Sequence, residues 1–580
     1  MKTRSTFIVT AIVALAVSSC NKFLEEKLIS DVSGAGYYTT AAGLDDAVDA
    51  TYYYLKYVYS NERAYTLTVF GTDTYTNGAD GNFKGFNYYD NTLNSASDVN
   101  REMWQYLYRG INQANAVINR SQNVKDISPA NLTLRLAEVR FLRALYYFNL
   151  VRQWGDVPLS LEETIGAQVA AVKSSQADVY EKGIVPDLEF AIANLPNTQS
   201  DYGRATKAAA EHLLGLALLT RGYQTYAKPD DFSRADTYFG NVINNYGFSL
   251  TSDMGKLWDQ DNQRNKEIIF AVQNSTNALL NGGPDAPPGE GNRGHLYFLM
   301  EYDIQPGMIR DIANGRPFKR FRPTPYLLNL WGANRDNDDR FDQTYKQAWI
   351  SNNPLTIPKW TQANVDAGAK NKDGSAAVVG QLKYAVGDTA IFIPGPGKDA
   401  NWPAARKLQT RYRVYTTDEY TERIFSHIKK FMDPRRPAIQ WTEGSKDWFI
   451  MRLGDTYLLR SEARFKVGNT SGAADDINVV RTRAAKPGKA ANMQITPGEV
   501  TMDFILDERA REVDAEQCRW YDLVRTGTLV SRVKLYNPLG AVNIDQHHIR
   551  RPYPQIQLDR TYPVGSFEQN CGYPGGPACN

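Results

Sequence analysis

Residues 132–158, LTLRLAEVRFLRALYYFNLVRQWGDVP, decide how the chain is read. Leu134, Ala137, Phe141, Leu145 and Phe148 recur at helical spacing and form one apolar stripe. The run then stops at Gly155-Asp156-Val157-Pro158, a cluster of helix breakers. Working outward, similar patterns cover Glu102 to Arg120, Ala177 to Asn194, Ala205 to Tyr223 and Phe232 to Tyr246, which predicts a mostly α protein. Gly222 and Tyr223 lead across a short loop to Ala235 and Phe239, the spacing of a tetratricopeptide-type helix pair. Tyr457 to Asn469, followed by Ala473, Ile477 and Val480, reads as a second such pair. Pairs of this kind close a core only when several stack, so both ends of the chain are expected to build one scaffold.

The stretch between these ends differs. From about Asn274 to Trp448 it is dense in Gly, Pro, Asn and Asp, with short apolar pieces such as Ala390-Ile391-Phe392-Ile393. It reads as a loop-rich insertion, the kind of segment that often carries binding residues. The expected division is therefore a helical part over about 20–273, a loop-rich middle over about 274–448, and a helical part with a tail over about 449–580.

Composition narrows the function. The 580 residues hold 42% hydrophobic and 22% charged residues, an ordinary globular mixture. A mean hydropathy of −0.48 excludes a polytopic membrane protein. Net charge is +2, without the basic excess of a nucleic-acid binder. Only 5 His and 4 Cys argue against a zinc or haem protein, so no metal or cofactor is expected. The 35 Tyr and 10 Trp supply flat apolar faces with polar edges, suited to wet surfaces that bind amphipathic ligands.

The N-terminus carries an address. Lys2 and Arg4 precede an apolar run from Phe7 to Val17, which ends in Ser18-Ser19-Cys20. Residues 1–19 read as a secretory signal. Small residues directly before Cys20 look like a lipobox, in which that cysteine is acylated, with palmitate among the chains, and becomes the mature N-terminus. Several acyl chains hold a water-soluble body firmly at a membrane. In an exported compartment Cys571 and Cys579, close together in a Gly/Pro-rich tail, are candidates for a disulfide. Cys518 reads as a packed thiol.

Catalytic and cofactor motifs fail their context tests. Gly289, Gly291 and Gly294 spell a G-x-G-x-x-G, but Pro284-Asp285-Ala286-Pro287-Pro288 precedes it where a strand would be needed. Asp259-Gln260-Asp261 and Asp336-Asn337-Asp338-Asp339 lack the glycine and closing glutamate of a calcium loop and read as solvated turns. Glu508, Glu512 and Glu516 stand at i, i+4 and i+8, where they would repel unless paired, and Arg509, Arg519 and Arg525 are the expected partners. A carboxylate pair for glycoside hydrolysis is adjacent only in space and cannot be read here.

Several stretches stand in a telling order: Cys20-Asn21-Lys22-Phe23-Leu24, the segment from Glu138 through Trp154-Gly155-Asp156-Val157-Pro158, and Gly203-Arg204-Ala205-Thr206-Lys207. Arg322-Pro323-Thr324-Pro325-Tyr326, Arg452-Leu453-Gly454-Asp455, Glu508-Arg509 through Arg519-Trp520, and Arg551-Pro552-Tyr553-Pro554 continue the series. Together they resemble the SusD/RagB family of outer-membrane nutrient-binding lipoproteins. The tail departs, with Asn570-Cys571-Gly572-Tyr573 where the family has Asn-Pro-Gly-Tyr.

The resemblance implies a SusD-like α-superhelix whose loop-rich insertion forms the ligand face. It further implies a lipid-anchored protein facing out from the outer membrane. Such a protein captures an oligosaccharide or other nutrient without cleaving it and delivers it to a SusC-like TonB-dependent barrel. Glu25-Glu26 loosely resembles the acidic signal for surface export. Sugar rings offer C–H faces and a rim of hydroxyls, so the expected site pairs exposed rings with Asn, Asp, Gln and Arg. Candidates are aromatics in polar stretches. The first cluster is Asp73, Tyr75, Asn77, Asn82, Phe83, Phe86, Tyr88 and Tyr89. The second is Arg293, His295, Tyr297 and Tyr302, and the third is Trp331 with Trp360 and Trp402. Trp331 and at least one member of the first cluster are expected to touch ligand. Two other functions stay open: a surface glycan hydrolase or lyase, and a tetratricopeptide-type module that docks proteins.

Overall fold

The computed structural model describes residues 38–166, 168–281 and 291–579. Cys20, the signal segment and Glu25-Glu26 lie outside them.

Helices carry the architecture: α1 Ala41–Tyr53, α2 Asp98–Arg120, α3 Pro129–Trp154, α4 Val185–Asn194, α5 Lys207–Arg221, α6 Asp231–Asn245, α7 Pro325–Gly332, α8 Leu453–Lys466, α9 Thr470–Ala484, α10 Met502–Glu512, α11 Arg519–Arg525 and α12 Leu529–Tyr536. The 132–158 stretch behaves as its pattern demands. Ser128 caps α3 by accepting from the Asn131 amide at 3.2 Å, with Pro129 in the first turn, where its missing N–H costs nothing. Gly155 stops the helix at φ +83°, a conformation that favours glycine. Beside it Trp154 is fully buried and donates to the Pro552 carbonyl at 3.0 Å. A single π turn at Tyr180–Ile184 feeds α4, whose Pro186 lies in its first turn.

Stacking runs in one series. α2 packs on α3, α3 on α4, α4 on α5 and α5 on α6; α6 then packs on α8, which carries α9 and α10. The α5–α6 and α8–α9 pairs are the two read from the sequence. In the first, the Phe239 ring lies on Gly215, where a Cβ would come within 2.9 Å of it. The step from α6 to α8 joins the two ends of the chain. The buried His212 of α5 and Thr456 of α8 lie 3.0 Å apart, and Arg464 pairs with Asp236 at 3.0 Å.

Nine short strands stand among the described residues: β1 Tyr75–Asn77, β2 Ile268–Val272, β3 Phe321–Pro323, β4 Tyr345–Lys346, β5 Ala348–Ile350, β6 Thr389–Phe392, β7 Arg413–Val414, β8 His427–Ile428 and β9 Trp448–Arg452. The 20–273 part is thus not purely helical, because β1 pairs antiparallel with β3 of the middle. β2 and β9 pair antiparallel where the insertion leaves and rejoins the scaffold. Inside the insertion, β5–β6–β7 forms a three-stranded sheet over a small core that includes Met300, Trp349, Ile391 and Phe425. Cys571 and Cys579 are disulfide-bonded, and Cys518 is a free, half-buried thiol.

The acidic triplet is neutralised, though by other arginines than expected. Glu508 meets Arg340 at 2.7 Å, Arg511 at 2.7 Å and Arg481 at 2.8 Å. Glu512 meets Arg452 at 2.7 Å, Arg340 at 2.9 Å, and Arg483. Arg509 instead pairs with Asp455 and Asp522, Arg519 with Asp73, and Arg525 with Glu462. Glu516 is not a third rung, because α10 ends at Glu512 and the chain turns through positive φ at Ala515 and Gln517. It pairs with Arg452 and Lys430. Burial alone would raise Glu508 and Glu512, but the surrounding guanidinium groups hold both well below the usual carboxylate range.

Candidate functional site

Most of the aromatic candidates are core. Asp73 takes Arg519 at 2.6 Å and Arg532 at 2.8 Å, wholly out of solvent. Tyr75 is equally buried and donates to Asp514 at 2.8 Å. Asn77, Phe86 and Tyr89 are buried too, and the Tyr89 hydroxyl donates to the Gly71 carbonyl at 2.7 Å. The glycines that made this stretch look like a ligand loop serve close packing. A Cβ on Gly71 would stand 2.2 Å from the Phe86 carbonyl oxygen. Only Asn82, exposed, and Phe83 and Tyr88, half-buried, reach the surface.

The second cluster closes in the same way. Arg293 is ion-paired with Glu443. Burial takes the His295 ring down to about 3, with Arg436 adding to the shift and Asp433 opposing it. Tyr297 is buried, and Tyr302 donates to the Gly315 carbonyl at 2.6 Å. Of the third, Trp331 is buried against Phe341 and Tyr345, and Trp360 donates to Asn371 at 2.9 Å from inside a small separate core. Trp402 alone stays half-exposed, on a cleft.

That cleft holds about 990 Å³, within the range of small-ligand sites. Its rings, Tyr384, Trp402, Tyr412 and Tyr415, stand around the insertion sheet, with Phe392 of β6 packed against Trp402 and Tyr412. β6 runs parallel to β7, with Phe392 opposite Val414, so Tyr412 leads into β7 beside Phe392. The Trp402 ring lies 5.4 Å from Phe392 and 6.3 Å from Tyr412, and Phe392 lies 6.1 Å from Tyr412. All three are half-buried. Arg406 stacks on Trp402 at 4.2 Å from the ring centre. Tyr415, also lining the cleft, donates to Gln305 at 2.6 Å and carries Arg413 over its face at 4.5 Å.

Charge surrounds these rings. Lys407 bonds Glu419 at 2.5 Å, and Arg413 bonds it at 2.7 Å. Burial would raise Glu419, but hydrogen bonds from Lys407 and Thr416 and the charge of Arg413 bring it to about 2. Burial lowers Lys383, whose ammonium sits 4.9 Å over Trp360. The arrangement offers stacking faces beside charged and amide hydrogen-bonding groups. Phe392, Tyr412 and Tyr415 escaped the sequence reading. The signal was the alternation Arg411-Tyr412-Arg413-Val414-Tyr415, period two around a short strand.

The acidic turns are engaged locally. Asp259 accepts from the Asp261 amide at 2.9 Å, and Asp261 pairs with Arg435. Asp336 pairs with Lys398, Asp338 with Arg340, and Asp339 accepts from Gln343. Among the described residues no group of three or more His, Cys, Asp or Glu is placed to hold a metal ion. No described helix is long and apolar enough to cross a membrane.

A helix-pair superhelix with an aromatic cleft on an inserted sheet defines a class of α-helical binding scaffolds. Residues 266–573 match the SusD family, and residues 22–226 match a family described as starch-binding and associating with the outer membrane. The chain belongs to the SusD family. It is 26% identical to SusD-like protein P38 of Formosa agariphila over 93% of its own length and 94% of that protein's. It is 24% identical to the starch-binding protein SusD of Bacteroides thetaiotaomicron, over 82% and 79% respectively. Among solved structures, a laminarin-binding SusD-like protein aligns with a TM-score of 0.64 at 22% identity, covering 92% of this chain and all of the other. A SusD homologue from Bacteroides thetaiotaomicron aligns at 0.69 and 20% identity, covering 93% and 98%.

Proposed function

We propose that the chain is a glycan-binding lipoprotein of the outer-membrane surface, anchored through acylated Cys20, that passes oligosaccharide to a SusC-like TonB-dependent barrel without cleaving it. The observation that carries this reading is the ring set Trp402, Tyr412 and Tyr415 on an open cleft of about 990 Å³, with Phe392 packed behind Trp402 and Tyr412. Stacked rings with charged and amide edges suit the alternating faces and hydroxyls of a sugar chain. The starch- and laminarin-binding relatives support the ligand class.

Affinity electrophoresis against a panel of polysaccharides tests the site. Trp402→Ala combined with Tyr412→Ala is expected to abolish retention of whichever glycan the wild type binds, with circular dichroism unchanged. Full retention by the folded double variant would remove the cleft from the function.

A further inference from the structure

A second cleft, of about 600 Å³, adjoins the first, and Asp399 and Asp418 line both. Pro323, Pro325, Leu328, Pro396 and Gly397 line it together with Arg322 of β3. Strand alternation puts Arg322 there. Phe321 and Pro323 are buried, while Arg322, opposite Thr76, faces outward and is half-buried.

Among the described residues this arginine has no partner. Its Nε is out of contact with solvent and bonds nothing, and no carboxylate among the described residues forms an ion pair with it. Most buried arginines contrast with it: Arg340, Arg519 and Arg525 each meet carboxylates within 3 Å, and Arg551, which meets none, bonds Gln153 and the Leu67 carbonyl. Glu422 acts on Arg322 only through space and is exposed. Asp399 is occupied, accepting from the Thr417 amide at 3.0 Å and its hydroxyl at 2.5 Å. Asp418 stands exposed at the rim, where solvent and salt screen its charge. Burial holds Arg322 below the ordinary arginine range. A partly desolvated cation without a counter-charge is costly. Its planar fork matches an oxyanion, and apolar walls strengthen such a pair.

We infer that Arg322 receives an anionic substituent of the ligand, so that the protein takes an acidic glycan whose neutral face stacks on Trp402 and whose carboxylate or sulfate pairs with the guanidinium. This rests on the glycan-binding reading and narrows it to a substrate class.

The test uses the full mature chain and isothermal titration with three kinds of polysaccharide: neutral, uronate-containing and sulfated. Each acidic polymer is paired with its carboxyl-reduced or desulfated form. The expected result is binding to one acidic polymer that weakens roughly ten- to a hundredfold on removing its charge. Arg322→Gln is expected to lose the same factor, and Arg322→Lys to keep part of it. Which treatment weakens binding separates carboxylate from sulfate. Equal affinity for an acidic polymer and its neutral form, or Arg322→Gln binding as wild type, overturns the inference and leaves glycan binding standing. No binding to any member overturns both. Should Arg322→Gln misfold, the charge-removed polymers on wild type decide alone.

Discussion

In the main core, rings and charges close on one another; in the clefts of the insertion they are left open. Trp331 is covered by Phe341 and Tyr345, and Arg452 is covered by Glu267, Glu512 and Glu516. Trp402 stays partly exposed, and Arg322 pairs with no carboxylate among the described residues. The same residue types therefore hold the fold in one region and offer binding in the other. What separates them is whether the fold supplies the partner.

The contrast breaks most readily at Arg452. Arg452→Met leaves Glu267, Glu512 and Glu516 with fewer counter-charges in the interior. It is expected to cost about 3–5 kcal/mol by urea denaturation, the usual effect of breaking a buried pair on one side. A loss under about 1 kcal/mol would show that the remaining arginines suffice. Acid probes the same lattice. Glu508 and Glu512 titrate below their unfolded value of about 4.3, so their stabilisation is present above that pH and lost as pH falls beneath it. Asp447 works in the other sense. Burial raises it to about 6, so it weakens the fold above that pH and is relieved between about 6 and 4. The buried His212, His295, His427 and His548 are held neutral by burial, so each costs the fold stability as pH falls below its unfolded value of about 6.5, and together they outweigh Asp447. Stability is therefore expected to decline from about pH 6.5 and to collapse below 4.

The two tryptophans sharpen the comparison. Trp331→Ala is expected to cost about 3–5 kcal/mol of stability as a large-to-small core change, while the folded fraction binds glycan as wild type does. Equal losses of affinity from Trp331→Ala and Trp402→Ala would erase the distinction between core ring and platform. The smallest effect is expected at Arg406, which backs Trp402 at 4.2 Å. Arg406→Ala should weaken binding by about two- to fivefold, the worth of an exposed cation–π contact, with no change in unfolding midpoint.

Helices were legible because their cues are local. The stripe of residues 132–158, its breaker cluster and the Ala235/Phe239 spacing need only neighbours in sequence. The site was not. Gly71, Asn77 and Tyr89 carry the composition of a ligand loop, yet β1 ties that stretch to β3 and buries it, a pairing across the chain that no local pattern announces. Trp331 sits on a short apolar helix and Trp402 after a turn, but both stand among Gly, Pro and Asn. Only the packing of Phe341 and Tyr345 over the first tells them apart. The arginine partners of Glu508 and Glu512 were misassigned because, Arg511 apart, they come from the end of β9, from α9 and from the short helix before β4 rather than from neighbours in sequence.

The antiparallel pairing of β2 with β9 fixes the two points at which residues 273–447 depart and return. Because β3, Trp331 and Arg340 tie part of this segment into the main core, it is the outer part, around the β5–β6–β7 sheet with its own small core, that can lengthen, shorten or be exchanged at little cost, since closing a longer loop between fixed ends adds only logarithmically to its entropy. Ancestors of this chain could therefore acquire new diets by rewriting one excursion while leaving the framework, and whatever docks on it, untouched.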